Sequence, residues 1–247
     1  MKALAALLAG LLFASAAYAQ EEPFPLPPKE WPAPVMDRPV FPFLLVELLE
    51  RRWQSGQDRN VWDLQGWVGG DYQRLWVRTE GEQEAGGRTG EAELEAFYAR
   101  LIAPFWYLQA GLHYEDPPSP SRSSLAFGVQ GLAPYWFEVS ATAYVNDKGR
   151  PWAQLEAEYD LLFTQRLILQ PRLDARYAAT AERERGLGRG LTQLELGLRL
   201  RYEIRRQFAP YVGVTWLRRF GETADLARAA GEDATERAVV AGLRIWF

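Results

Sequence analysis

The stretch QLELGLRLRYEI (193–204) decides how this chain folds. Leu194, Leu196, Leu198, Leu200, Tyr202 and Ile204 alternate with Gln193, Glu195, Gly197, Arg199, Arg201 and Glu203. A helix of about 3.6 residues per turn would scatter both sets around its axis, whereas a strand sorts them onto two faces. The same alternation runs through RLILQPRLDARY (166–177) and WAQLEAEYDL (152–161).

Working outward, strands are expected near 43–53, 60–69, 71–81, 90–100, 104–115, 122–131, 134–146, 150–161, 165–177, 190–203, 207–219 and 236–247. Most run ten residues or more, against about five or six for an ordinary strand. A tilted strand needs about 9–11 residues to cross a bilayer. The connections alternate between tight ones (GGD at 69–71, GLAP at 131–134) and longer polar ones (GEQEAGGRTG at 81–90, ATAERERGLGRG at 179–190). An even count of long strands with alternating short turns and long loops predicts an all-β fold: a transmembrane, antiparallel, up-and-down barrel of about 12 strands. Strand length and charge placement argue against the alternative, a soluble periplasmic sandwich. Glu156, Glu158, Asp160, Arg172, Arg199 and Arg201 share the face opposite the leucines, and a dry sheet-on-sheet core could not hold them.

The ends of the chain fit this scheme. MKALAALLAGLLFASAAYA (1–19) has a basic start, an apolar stretch and an A-x-A site at Ala17–Ala19, and is expected to be a secretory signal peptide. Residues 20–42 carry Pro23, Pro25, Pro27, Pro28, Pro32, Pro34, Pro39 and Pro42, which predicts an extended periplasmic tail ahead of a barrel over 43–247. In AVVAGLRIWF (238–247), Val239, Ala241, Leu243, Ile245 and Phe247 are expected to face lipid and close the barrel against the first strand. With even strand number, both termini fall on the short-turn side, the periplasmic one. Trp62, Trp106, Tyr114, Tyr177 and Trp216 take outward positions near strand ends, where interface aromatics belong.

Composition narrows the chemistry. There is no cysteine, hence no disulfide framework and no thiolate metal site. A net charge of −4 argues against nucleic acid as a partner. The one imidazole, His113, shares the inward face of its strand with Gln109 and Glu115. It reads either as a weak Cu(II) site with lumenal carboxylates or as a hydrogen-bonded lumen histidine. Glu91, Glu93 and Glu95 line one face of a strand, and Glu156, Glu158 and Asp160 line another, with Arg74, Arg78, Arg172 and Arg176 as counter-charges. These runs form either a cross-strand ion-pair network or an acidic path for cations.

The segments 63–82, 102–112, 129–145, 156–173 and 194–214 resemble the copper resistance protein B family. The resemblance implies an outer-membrane barrel of Gram-negative bacteria serving copper binding, sequestration or export, without enzymatic activity. It also implies a periplasmic multicopper oxidase partner, and a terminal Phe247 read by the outer-membrane assembly machinery. Family members carry a Met- and His-rich segment before the barrel, and thioether and imidazole suit copper. Here that region is the Pro-rich tail with Met36, and Phe43 stands where many relatives start the first strand with His. The candidate copper ligands are therefore His113, Met36, Glu115, Glu91 and Glu93. Two alternatives stay open: a cation or solute channel, or structural barrel, without copper binding; and an outer-membrane lipid hydrolase, for which His113 is the one possible base near Ser121, Ser123 and Ser124.

Overall fold

The computed structural model describes residues 39–87, 89–116 and 121–247. Thirteen strand segments form one closed antiparallel sheet. They are β1 (Phe41–Gln54), β2 (Arg59–Gly69), β3 (Gln73–Glu84), β4 (Thr89–Ala103), β5 (Trp106–Glu115), β6 (Arg122–Ala133), β7 (Phe137–Asn146), β8 (Pro151–Glu158), β9 (Leu161–Leu162), β10 (Leu167–Ala178), β11 (Gly190–Tyr202), β12 (Phe208–Arg219) and β13 (Thr235–Trp246). Both β8 and β9 pair with β10 and make one wall strand, so the barrel wall has twelve strands, as the alternation predicted. The break between them falls at Tyr159–Asp160, beside Pro171. Pro171 directs its carbonyl toward Tyr159 (3.2 Å) but has no N–H to return, so the ladder lapses there.

The barrel closes where β13 meets β1. Leu45 pairs with Trp246, and the backbones of Leu44 and Phe247 exchange hydrogen bonds of 3.1 and 2.8 Å. No strand edge is left along this seam, which a wall facing hydrocarbon requires. Both neighbours of β1 slip register at one place. Glu47 and Leu48 together oppose Arg244 on β13, and the ladder to β2 steps from Val46–Leu64 to Leu48–Asp63. This β-bulge turns both residues inward, so Glu47 and Glu50, an odd number apart, share the lumenal face. Strict alternation alone would have placed them on opposite faces.

The two faces separate as expected. Outside, Leu112 (62% exposed), Phe127 (57%) and Val212 (57%) belong to a continuous apolar band with Leu94, Leu198 and Val239. Such a surface is tolerable only against lipid or a partner. Inside, the lumen is filled. Arg199 is 2% exposed and donates from Nε and Nη2 to both oxygens of Glu50, at 2.9 Å each. Gly197 leaves the room for that guanidinium, since a Cβ there would meet Arg199 Nη1. A second part of the filling is aromatic: Trp76, Phe97, Tyr144 and Trp152 cluster against Ala126.

The signal peptide, the stretch 20–38 of the Pro-rich tail, and Met36 lie outside the described residues. The strand begins at Phe41, so Phe41 and Pro42 already pair with Gly69 and Val68. The connection after β12, GETADLARAAGEDATE (221–236), is another of the longer polar ones and contains helix α1 (Gly221–Ala229). Thr223, Ala224 and Ala227 are its buried residues, and it rests against β11. Among the described residues no helix is long and apolar enough to cross a membrane.

Candidate metal centre

The site grows from the register of β4, β5 and β6. Glu93 stands directly opposite Glu115, and Glu95 opposite His113. On the far side Arg122 opposes Glu115 and Ser124 opposes His113. Glu80 on β3 opposes Glu93, so three carboxylates sit in one row across three strands. Like charges directly opposite each other destabilise a sheet unless counter-charges are supplied.

Three arginines supply them. Arg176 on β10 crosses the lumen to Glu93 (2.7 Å), Glu80 (2.9 Å) and Glu91 (3.2 Å). Arg122 and Arg185 clasp the two oxygens of Glu115 from opposite sides. Arg185 comes from the loop after β10, where a single turn at Arg183–Arg185, ended by left-handed Gly186, folds it inward. The carboxylates of β4 thus take part in a cross-strand ion-pair network.

His113 lies within this network, 1% exposed. Its Nε2 lies 3.1 Å from Glu93 Oε2. Its ring meets Tyr144 and Trp152 edge-on, each at 5.1 Å between centroids, and those two stack at 3.7 Å. Tyr144 in turn donates its hydroxyl to Glu95 at 2.7 Å, and the Arg122 guanidinium lies 4.3 Å above the Trp152 ring. The imidazole is therefore fixed in orientation on two sides. Its Nδ1 has no hydrogen-bond partner among the described residues, and neither has Oγ of Ser124, the residue opposite it.

Of the five candidate ligands, the fold brings together Glu93, His113 and Glu115, whose ligand atoms lie within 4.8 Å of one another. Glu91 is joined to them through Arg176 and borders the same cavity as Glu93, about 150 Å³ in volume. Met36 is not among the described residues. An imidazole with carboxylates is a nitrogen–oxygen set, suited to Cu(II) more than to Cu(I), which prefers sulfur. Any cation entering here would have to displace or share the carboxylates that the three guanidiniums hold.

A family model described as Copper resistance protein B precursor (CopB) matches residues 40–247. The chain belongs to the copper resistance protein B family. Copper resistance protein B homolog of Pseudomonas syringae pv. tomato is 45% identical over 215 residues, covering 86% of this chain and 72% of that protein. Copper resistance protein B of Escherichia coli is 43% identical over 205 residues, covering 82% and 69%. Among solved structures, the NanC porin superposes with a TM-score of 0.55 at 12% identity, over 82% of this chain and 98% of that one, a likeness of fold alone.

In this copper resistance B barrel the parity of one strand pointed to His113 and Glu115. Of the partners that decide their chemistry, the sequence singles out Glu93 and Arg176 but not Arg122, Arg185 or Trp152. Arg122 could have been found by pairing β5 with β6 about their hairpin, since it falls opposite Glu115. Arg185 and Trp152 carry no such signal, because one depends on loop folding and the other on curvature of the wall.

Proposed function

We propose that this barrel lies in the outer membrane of a Gram-negative cell, with both termini on the periplasmic side, and contributes to copper homeostasis by holding Cu(II) at His113. The observation that carries the binding site is a pair of buried atoms with no hydrogen-bond partner among the described residues, His113 Nδ1 and Ser124 Oγ, on residues that face each other in the β5–β6 register. Buried polar groups are otherwise almost always satisfied. Glu93 on the other ring nitrogen accepts from Nε2–H and leaves the Nδ1 lone pair for a metal, the usual carboxylate–histidine arrangement. Glu115 supplies an oxygen donor when Arg122 or Arg185 gives way. The same proposal takes a periplasmic multicopper oxidase as partner and the assembly machinery as the reader of Phe247, and membership of the family supports both.

This reading is non-enzymatic. A hydrolase of membrane lipid needs its base on the lipid side, and that side of β5 belongs to Leu112 and Tyr114, both exposed, while His113 points into the lumen.

Elemental analysis of the detergent-folded protein after Cu(I) and Cu(II) loading tests the proposal, with wild type beside His113→Ala and a variant lacking residues 20–41. Cu(II) bound by wild type and the shortened variant, and lost with His113→Ala, is the expected result. Copper retained in full by His113→Ala would overturn the lumenal site.

A further inference from the structure

Among the described residues, two of the cavities lie in the lumen. One, of about 150 Å³, lies toward the long loops and is bordered by Glu82, Glu91 and Glu93. The other, of about 240 Å³, lies toward the short turns and is bordered by Phe105, Tyr107 and Glu138. Each has room for several waters. Of the described residues lining them, only Asp63 and Arg172 border both. These two side chains meet at 2.8 Å, from β2 and β10 on different parts of the wall. We propose that the lumen is a gated path for small cations and that the Asp63–Arg172 pair is its gate.

The charge on the walls selects the class of solute. Eight carboxylates and six guanidiniums border the long-loop cavity, and five carboxylates and two guanidiniums border the short-turn cavity. Both vestibules are lined by more carboxylates than guanidiniums, a balance that favours cations over anions. The gate is also held by fewer bonds than two other ties in the lumen. Arg199 is held by two bonds to Glu50, and Arg176 reaches three carboxylates. Among the described residues Arg172 makes one hydrogen bond, from Nη2 to Asp63, and its Nη1 has no hydrogen-bond partner. A second acceptor is within reach, with Glu156 Oε2 at 3.6 Å from the same nitrogen. A swing of the guanidinium from Asp63 toward Glu156 keeps it ion-paired while it leaves the boundary between the cavities. The two-acceptor arrangement is what makes a low-cost opening motion available to a charge that cannot be left unpaired.

Conductance of the full chain in planar lipid bilayers under potassium chloride tests this without copper, so it stands or falls separately from the His113 site. The variants are Asp63→Ala/Arg172→Ala, Arg172→Gln, the charge swap Asp63→Arg/Arg172→Asp, and the rim substitution Arg51→Ala, with folding of each checked by heat modifiability. Wild type should be nearly closed. The double alanine variant and Arg172→Gln should conduct severalfold more, with a reversal potential of cation selectivity in a salt gradient. The charge swap should return conductance toward wild type, and Arg51→Ala should leave it unchanged. Folded gate variants no more conductive than wild type, or an anion-selective open state, would overturn the proposal; Arg172→Gln keeps the test decisive if the double variant does not fold.

Discussion

Arg199 on β11 and Glu50 on β1, separated by two intervening strands and 149 residues of sequence, meet as a two-toothed ion pair with both N–O distances at 2.9 Å. Tyr211 on the strand between adds its hydroxyl to the same carboxylate at 3.1 Å, and Arg52 adds Nε at 2.9 Å. The pair acts as an internal brace across the seam of the barrel. Removing one partner strands a buried charge, at about 3–5 kcal/mol. Arg199→Ala should therefore lower the unfolding midpoint in denaturant sharply, while Arg199→Met combined with Glu50→Leu should recover most of the loss. Equal destabilisation by the single and double variants would refute the brace.

The apolar exterior makes the opposite demand. Leu198, on the same strand as Arg199 but facing out, should cost about 2–4 kcal/mol when replaced by Arg near the bilayer midplane. Leu243→Arg on β13 should behave alike. Glu195→Gln on the lumenal face should cost less, because Arg52 keeps Glu50 as a partner. Heat-modifiable mobility on gels reads all three, and equal tolerance would reverse the assignment of faces.

Copper at His113 would lie beside Trp152, whose ring centroid is 5.1 Å from the imidazole. Paramagnetic Cu(II) at that distance quenches indole emission. Titration with Cu(II) should dim tryptophan fluorescence in wild type, and the quenched fraction should shrink in Trp152→Phe without loss of bound copper. Zn(II) should compete without quenching. Quenching unchanged in His113→Ala would place the copper elsewhere.

The seam offers a fourth test. Phe247 contributes two backbone hydrogen bonds to Leu44, and a backbone group left open in hydrocarbon costs several kcal/mol. Deleting Phe247 should reduce the folded, heat-modifiable fraction in membranes more than Phe247→Leu does, because Leu keeps both bonds. The same loss in both would show that the ring, not the backbone, secures the closure.

The strands were legible because each one needs apolar residues on one face and polar ones on the other over its full length. The departures were not. The bulge at Glu47–Leu48 adds one residue without changing composition, and the lapse at Tyr159–Asp160 is caused by Pro171 on the neighbouring strand. Helix α1 was hidden in a segment read for polarity; the spacing of Ala224 and Ala227 was its only local sign. At the metal centre, parity put His113 and Glu115 on one face, but their meeting with Glu93 depends on register set by the turn at 104–105. The arginines that neutralise them arrive from a hairpin partner, the opposite wall and a loop. Contacts of that kind belong to closure of the sheet, which alternation along a single strand does not encode.

The doubled position on β1 means that the chain holds one spare letter. If Leu48 were excised, Val46 and Leu49 would still point out and Glu47 and Glu50 would still point in, since the two halves of the strand would fall back into step. An in-frame loss of one codon there should be survivable, whereas the same loss at Leu198 would turn half of β11 inside out. Length variation among relatives should therefore be sought at Glu47–Leu48 before any loop-free stretch of the wall.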